Sequence, residues 1–246
     1  MPNQYKKIEV QLYEQAFGSQ AAPIITDSGG KFIVVANGGA AKQAIYDSAG
    51  AAASNPVSMT YGKGSFYVLD TVTSVDIYGI APGGQWFFKT GAKEGIVEIG
   101  IDVQNREQVY KIPFSAVDST AATEYDTGFD LPLYSAVMPN PMILVTTIDA
   151  TEDIDVGILS SETAGDADGF IDGVSTATLG LAKATLLTSA DTMGALLSVQ
   201  DSANAGDDAP EVHVVTGSNG RSISYTTSAG SDTAAGFILL NVVLGA

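Results

Sequence analysis

Cysteine is absent from the chain, which removes disulfides, thiolate metal sites and cysteine nucleophiles together. Histidine is nearly absent: His213 is the only one, too few to build a zinc site of the usual ligands. No apolar run reaches the roughly 18 residues of a membrane-crossing helix. Positive charge is scarce as well. Eleven Lys and Arg stand against 28 Asp and Glu, a net charge of -17, so nucleic acid and anionic membranes would be repelled and neither is expected as a partner. Charged residues make up only 16% of the chain, and its 27 glycines follow no triplet period, which argues against a coiled coil, a collagen-like rod or a charged tail.

What is present is apolar material, 45% of 246 residues, ample for real cores. Ala, Gly, Ser, Thr, Val and Asp fill the chain, the palette of short strands joined by tight turns. An all-β fold follows. The basic residues are unevenly spread: after Lys111 only Lys183 and Arg221 remain, so the C-terminal half is almost purely anionic. Such a surface would be drawn to a basic partner, and it equally serves solubility.

Three regions follow from the pattern. Residues 1–30 contain one alternating segment, Lys7 to Tyr13, followed by small and polar residues without period. They read as an extended N-terminal arm whose Ile8, Val10 and Leu12 are interface candidates, buried only against a neighbouring subunit. Residues 31–103 hold runs such as Phe32-Ile33-Val34-Val35-Ala36 and Ser65-Phe66-Tyr67-Val68-Leu69, punctuated by Asn37-Gly38-Gly39, Asn55-Pro56 and Pro82-Gly83-Gly84. This spacing predicts a small β-sandwich, immunoglobulin-like or similar, with Phe66, Tyr67, Tyr78 and Trp86 to Phe88 in its core and edges. A polar stretch from Gln104 to Lys111 marks the next boundary. Residues 104–246 then read as a jelly-roll-like β-sandwich of about eight strands. Only Ala190 to Val199 hints at helix. The last run, Gly236 to Leu244, is apolar on both faces, which requires a place in mid-sheet or at an interface.

Catalytic constellations are thin. His213 alternates with Val212 and Val214 in a strand-like run, as a packed residue would, and no Gly-x-Ser-x-Gly turn exists to present a nucleophile. The chain is therefore expected not to be an enzyme. One arrangement has ligand chemistry: Asp166, Asp168 and Asp172, beside Gly165, Gly169 and Gly173, are calcium candidates. They lack the EF-hand spacing, and a solvated turn with self-capping carboxylates is the favoured reading. A polysaccharide depolymerase would need paired carboxylates on long repeats, and no internal period is found. No metal and no cofactor are expected.

Two sets of residues carry a resemblance. Ala44 to Gly50, Asn55-Pro56-Val57 and Ser65-Phe66-Tyr67-Val68 are similar to small sandwich modules of phage head and fibre proteins. Asp126 to Pro132, Asp155 to Glu162, Gly165 to Ser175, Arg221 to Thr226 and Ala234 to Ile238 together resemble a β-domain of tailed-bacteriophage virion proteins, most closely the head decoration (cement) proteins. The resemblance implies a viral structural protein that decorates and stabilises the outer capsid surface, binds the major capsid protein and assembles as a homotrimer. Its address would be the capsid exterior of the virion, after synthesis in the host cytoplasm. No signal peptide is read in Met1 to Val10, where Lys6, Lys7 and Glu9 precede no apolar stretch. The alternative within the resemblance is a fibre or spike component that binds host-surface carbohydrate, with aromatics near Trp86 to Phe88 as its platform.

Overall fold

The computed structural model describes residues 4–14, 22–23, 29–82, 84–101, 107–116, 123–186, 192–199, 209–217, 219–228 and 233–245. They are all-β, without helix among the described residues. Contacts gather into two units, Met1–Arg106 and Glu107–Ala246.

The first unit holds β1 (Tyr5–Glu14), β2 (Ala22–Pro23), β3 (Lys31–Ala36), β4 (Val57–Ser58), β5 (Lys63–Leu69), β6 (Val75–Ile80), β7 (Trp86–Ala92) and β8 (Gly95–Ile101). β1 runs antiparallel to β5 and β2 and parallel to β8, and a second sheet has the order β4-β3-β6-β7. The sheets share one core. Phe32 of β3 meets Phe66 of β5 with ring centroids 5.9 Å apart, and Val34, Val68, Ile77 and Val97 lie in the same buried cluster.

The expected arm is corrected here. Ile8, Val10 and Leu12 are 1%, 0% and 0% exposed and belong to the core of their own chain. Alternation had put their side chains on one face, and that face closes over β3 and β6 without any neighbour. They are not interface residues. Residues 15–21 and 24–28 of the expected arm lie outside the described residues.

β6 is buried along its whole length, Asp76 included. A carboxylate is tolerated there because its Oδ2 accepts the Gly38 N–H at 2.9 Å and its Oδ1 the Gly91 N–H at 2.8 Å, tying to β6 the turn at Gly38 and the irregular part of β7 at Gly91, both with positive φ. Asn55 acts similarly. Its Oδ1 accepts from Val34 N, and its Nδ2 donates to the carbonyls of Val34 and Gln43. Replacing Asp76 by Ala should cost about 3 kcal/mol in urea unfolding, because two charge-assisted hydrogen bonds disappear. Asp76→Asn keeps one acceptor oxygen and should cost about half as much.

The second unit holds β9 (Glu107–Ser115), β10 (Tyr125–Asp130), β11 (Ala136–Val137), β12 (Met142–Thr147), β13 (Asp153–Ile158), β14 (Asp166–Ser175), β15 (Gly180–Lys183), β16 (Ser198–Val199), β17 (Ala209–Pro210), β18 (His213–Val214), β19 (Ser222–Thr227) and β20 (Ala235–Val243). β20 is the organising strand. It pairs with all of β9 along one edge and with β12 and β11 along the other, so the apolar last run sits in mid-sheet. Its Ile238, Leu240 and Val242 are fully buried. The facing sheet has the order β10-β19-β13-β14. Tyr225 of β19 crosses between the two: its ring packs edge-on to Phe114, and its hydroxyl donates to the Ser115 carbonyl and accepts the Ser115 N–H.

The helix hinted at over Ala190 to Val199 is not formed in its described part. Met193 and Leu197 are buried in a turn that leads into β16, and Gly194 approaches the backbone at Asp168 and Gly169 where a Cβ would collide.

Candidate functional site

The outward face of the β10-β19-β13-β14 sheet is built from small hydroxyls and carboxylates. Along β19, Ile223 and Tyr225 point into the core, so Ser222, Ser224 and Thr226 point out. Ser222 stands opposite Asp130 and Ser224 opposite Asp126 on β10. Two carboxylates from outside the strands close over this row. Glu162 accepts the N–H groups of Arg221 and Ser222 at 2.5 and 2.9 Å through Oε2, and the Ser222 hydroxyl at 2.7 Å through Oε1. Glu124 accepts the Ser160 N–H at 2.9 Å and the hydroxyls of Ser160 and Ser224 at 2.5 and 2.7 Å.

Both carboxyls are held below the usual carboxylate range. For Glu162, burial pushes upward, and the N–H and hydroxyl of Ser222 with the N–H of Arg221 outweigh it. For Glu124, burial is likewise outweighed by the hydroxyls of Ser160 and Ser224 and the N–H of Ser160. These groups stay ionised and occupied. The Ser222 hydroxyl is shared between carboxylate oxygens of Glu162 and Asp130, at 2.7 and 3.1 Å. Beside it an open cleft of about 400 Å³ is lined by Ser161, Glu162, Thr163, Asn219, Gly220 and Arg221.

Asp166, Asp168 and Asp172 lie on β14, not in a wrapping loop. Gly157 makes this possible, since a Cβ there would stand 1.9 Å from the Asp166 carbonyl, and the ladder between β13 and β14 shifts register at the same place. Asp166 is pushed up to about 6 by a hydrogen bond shared with Asp168, then by burial and by the Asp168 charge. Asp155, whose Oδ1 accepts the Gly173 N–H at 2.7 Å, is raised by burial and by the charges of Asp172, Asp168 and Asp153. Asp172 is raised by burial and by Asp168. Among the described residues no group of three or more His, Asp or Glu is arranged to hold a metal ion.

A raised aspartate gives pH dependence with a definite sign. The folded chain keeps the Asp166 proton up to about pH 6, whereas the unfolded chain loses it near the ordinary value of about 4. Stability should therefore fall as pH rises between those values. Asp166→Asn should flatten that part of the profile and be more stable than the parent at pH 7, as read from urea melts across pH.

His213 is on β18, with its ring edge-on to Phe170 at 5.7 Å. Burial lowers its pKa, and among the described residues its buried Nε2 has no hydrogen-bond partner. In the first unit the expected aromatic platform is split: Phe87 is core, Trp86 is half-buried, and Phe88 is 59% exposed, stacked on Tyr78. The carboxylate and serine network was not anticipated. Its one legible signal is the alternation Ser222, Ser224, Thr226, which marks a polar outward face.

No protein-family model and no curated protein matches the chain. Solved structures with some likeness include BcpA, the major pilin subunit of Bacillus cereus (8% identity, TM-score 0.21, covering 98% of this chain and 59% of that one). They also include the infectious bursal disease virus VP2 subviral particle (10% identity, TM-score 0.21, 98% and 56%) and infectious bursal disease virus of the Gt strain (11% identity, TM-score 0.22, 98% and 55%). The chain thus spans a little over half the length of each. None shares enough architecture with it for its role to bear on this one.

Proposed function

We propose that this chain is a structural accessory of a tailed-phage virion, a cement protein seated on the capsid exterior against the major capsid protein, with no reaction and no cofactor of its own. One observation carries the reading. Four of the five stretches resembling the virion β-domain, scattered over a hundred residues of sequence, supply β10, β13, β14 and β19, the four neighbouring strands of one sheet, and the fifth, Ala234 to Ile238, begins β20 of the facing sheet. That sheet's outward face is acidic and internally hydrogen-bonded. The second unit as a whole carries 19 acidic and three basic residues, -16 of the net -17, a charge suited to a basic docking surface and averse to nucleic acid.

The mechanism is linkage. A protein that binds the assembled shell and not its dissociated subunits stabilises the shell by about 4 kcal/mol per site at a thousandfold excess over Kd. Carbohydrate binding by a fibre or spike draws less support, because Phe87 is core and the aromatic platform is not assembled. Titrating the purified chain onto bare capsid shells and pelleting them tests the proposal. Saturable binding repeated over the whole shell surface is expected; a chain that stays in the supernatant, or binds at a single vertex, contradicts it.

A further inference from the structure

One ionisable side chain anchors the stretch from Ala209 to Val214. Ala209, Pro210, Glu211, Val212 and Val214 are exposed, and His213 alone among them is not. Beyond it, Val215 is fully buried and tied by its backbone: its N–H donates to the Ser135 carbonyl at 2.9 Å, and its carbonyl accepts the Tyr134 N–H at 3.0 Å. On the other side the Glu211 N–H donates to the Leu197 carbonyl at 2.8 Å. Between these two ties lies β18, the outermost strand of its sheet, paired among the described strands with β11 alone and over two residues only.

The pairing sets where the imidazole goes. His213 stands opposite Val137, and Val137 opposite Val242 of β20. Both valines are fully buried, so the His213 ring shares their core-facing side. It packs edge-on to Phe170, itself inaccessible, at 5.7 Å, and its buried Nε2 has no hydrogen-bond partner among the described residues. Nor does a charge attend it. β11, β20 and the turn from Met193 to Leu197 carry no titratable residue. Glu211 of its own stretch and Asp166, Asp168 and Asp172 of β14 do not act on it, since burial is the sole cause of its lowered pKa. A neutral imidazole fits this place as an aromatic ring does, whereas a cation would lie in apolar surroundings without a partner.

We propose that β18 is an acid-released latch: protonation of His213 expels its ring from beside Phe170 and frees β18 from the edge of β11, while β20 and the strands around it stay in place. No other side chain of the stretch has to leave the core, because none is buried there. The ties at Leu197 and Ser135 are the hinges, and release uncovers the backbone edge of β11 at Val137, which another chain can then pair with. The sign is definite. The released form takes up the proton at the ordinary histidine value of 6.5 and the closed form only below it. Closure is therefore complete above about pH 6.5 and weakens as pH falls beneath that value, opposite in direction to the effect of Asp166.

Two amides report the latch. The Met138 N–H donates to the Asn241 carbonyl on the β20 side, so by alternation the Val137 N–H faces β18. The Val215 N–H faces Ser135, and the His213 N–H, two residues away, faces β11 in the same way. Hydrogen exchange followed by NMR on the full chain from pH 8 to pH 5 tests the proposal, together with the titration of its imidazole, the only one in the chain. The imidazole midpoint should lie below 6.5. Between 6.5 and that midpoint, protection of the Val137 and His213 amides should fall about tenfold per pH unit, because one proton is taken up on opening. The Leu240 amide, in mid-sheet, should keep its protection. His213→Phe and His213→Leu fill the same place without taking a proton and should hold both amides protected throughout. A midpoint at 6.5 or above, protection of the two amides that does not change with pH, loss of the Leu240 amide along with them, or the parent's pH response persisting in either variant would overturn the proposal.

Discussion

Deleting Met1–Glu14 should unfold the first unit outright and leave the melting of the second unit in place. β1 lies between β5 and β8 and hydrogen-bonds to both, so its loss cuts one sheet in two. Ile8, Val10 and Leu12 are essentially inaccessible, and at about 1.5 to 3 kcal/mol each their burial is comparable to the whole stability of a domain, about 5 to 15 kcal/mol. A dispensable arm would give the opposite result, two folded units with weaker attachment. Val10→Asp should reproduce most of the deletion, since it places an unpaired carboxylate in the core. Circular dichroism and urea melts of the truncated chain, resolved into two transitions, decide between the two outcomes.

Removing β20 should be as severe for the second unit. Truncation before Ala235 takes away the strand that joins β9 to β12 and β11, and with it the buried Ile238, Leu240 and Val242. The sheet would be left in three pieces, β9, β12 with β15, and β11 with β18, so the second unit is expected to lose its cooperative transition while the first keeps its own. Leu240→Ala offers a graded version and should cost about 2 to 5 kcal/mol. A second unit that still melts cooperatively without β20 would show that its core is organised elsewhere.

The strand character of the chain was legible in its sequence because alternation is a local property. Lys7 to Tyr13 alternates, and β1 is a strand; Gly236 to Leu244 is apolar on both faces, and β20 is central. What alternation cannot report is the partner. β1 pairs in parallel with β8 at the far end of its unit, a contact that no local pattern encodes, and so the sequence of this inner strand resembles that of an extended arm. The same limit hides the carboxylate and serine face. Glu162 reaches Ser222 across 60 residues and Glu124 reaches Ser224 across 100, contacts made only once β10, β13 and β19 are side by side. Aromatic burial was legible in part: Phe66, Tyr78 and Phe87 are core, whereas Phe88 on the same strand as Phe87 faces outward, as period two requires.

The central claim, an accessory that acts by binding an assembled shell, is tested most directly by the temperature at which capsid shells come apart, measured with and without the purified chain. Linkage predicts a disruption temperature that rises with the concentration of the chain and goes on rising logarithmically once the sites are filled. Shells saturated with the chain that come apart at the same temperature as bare shells would contradict the account.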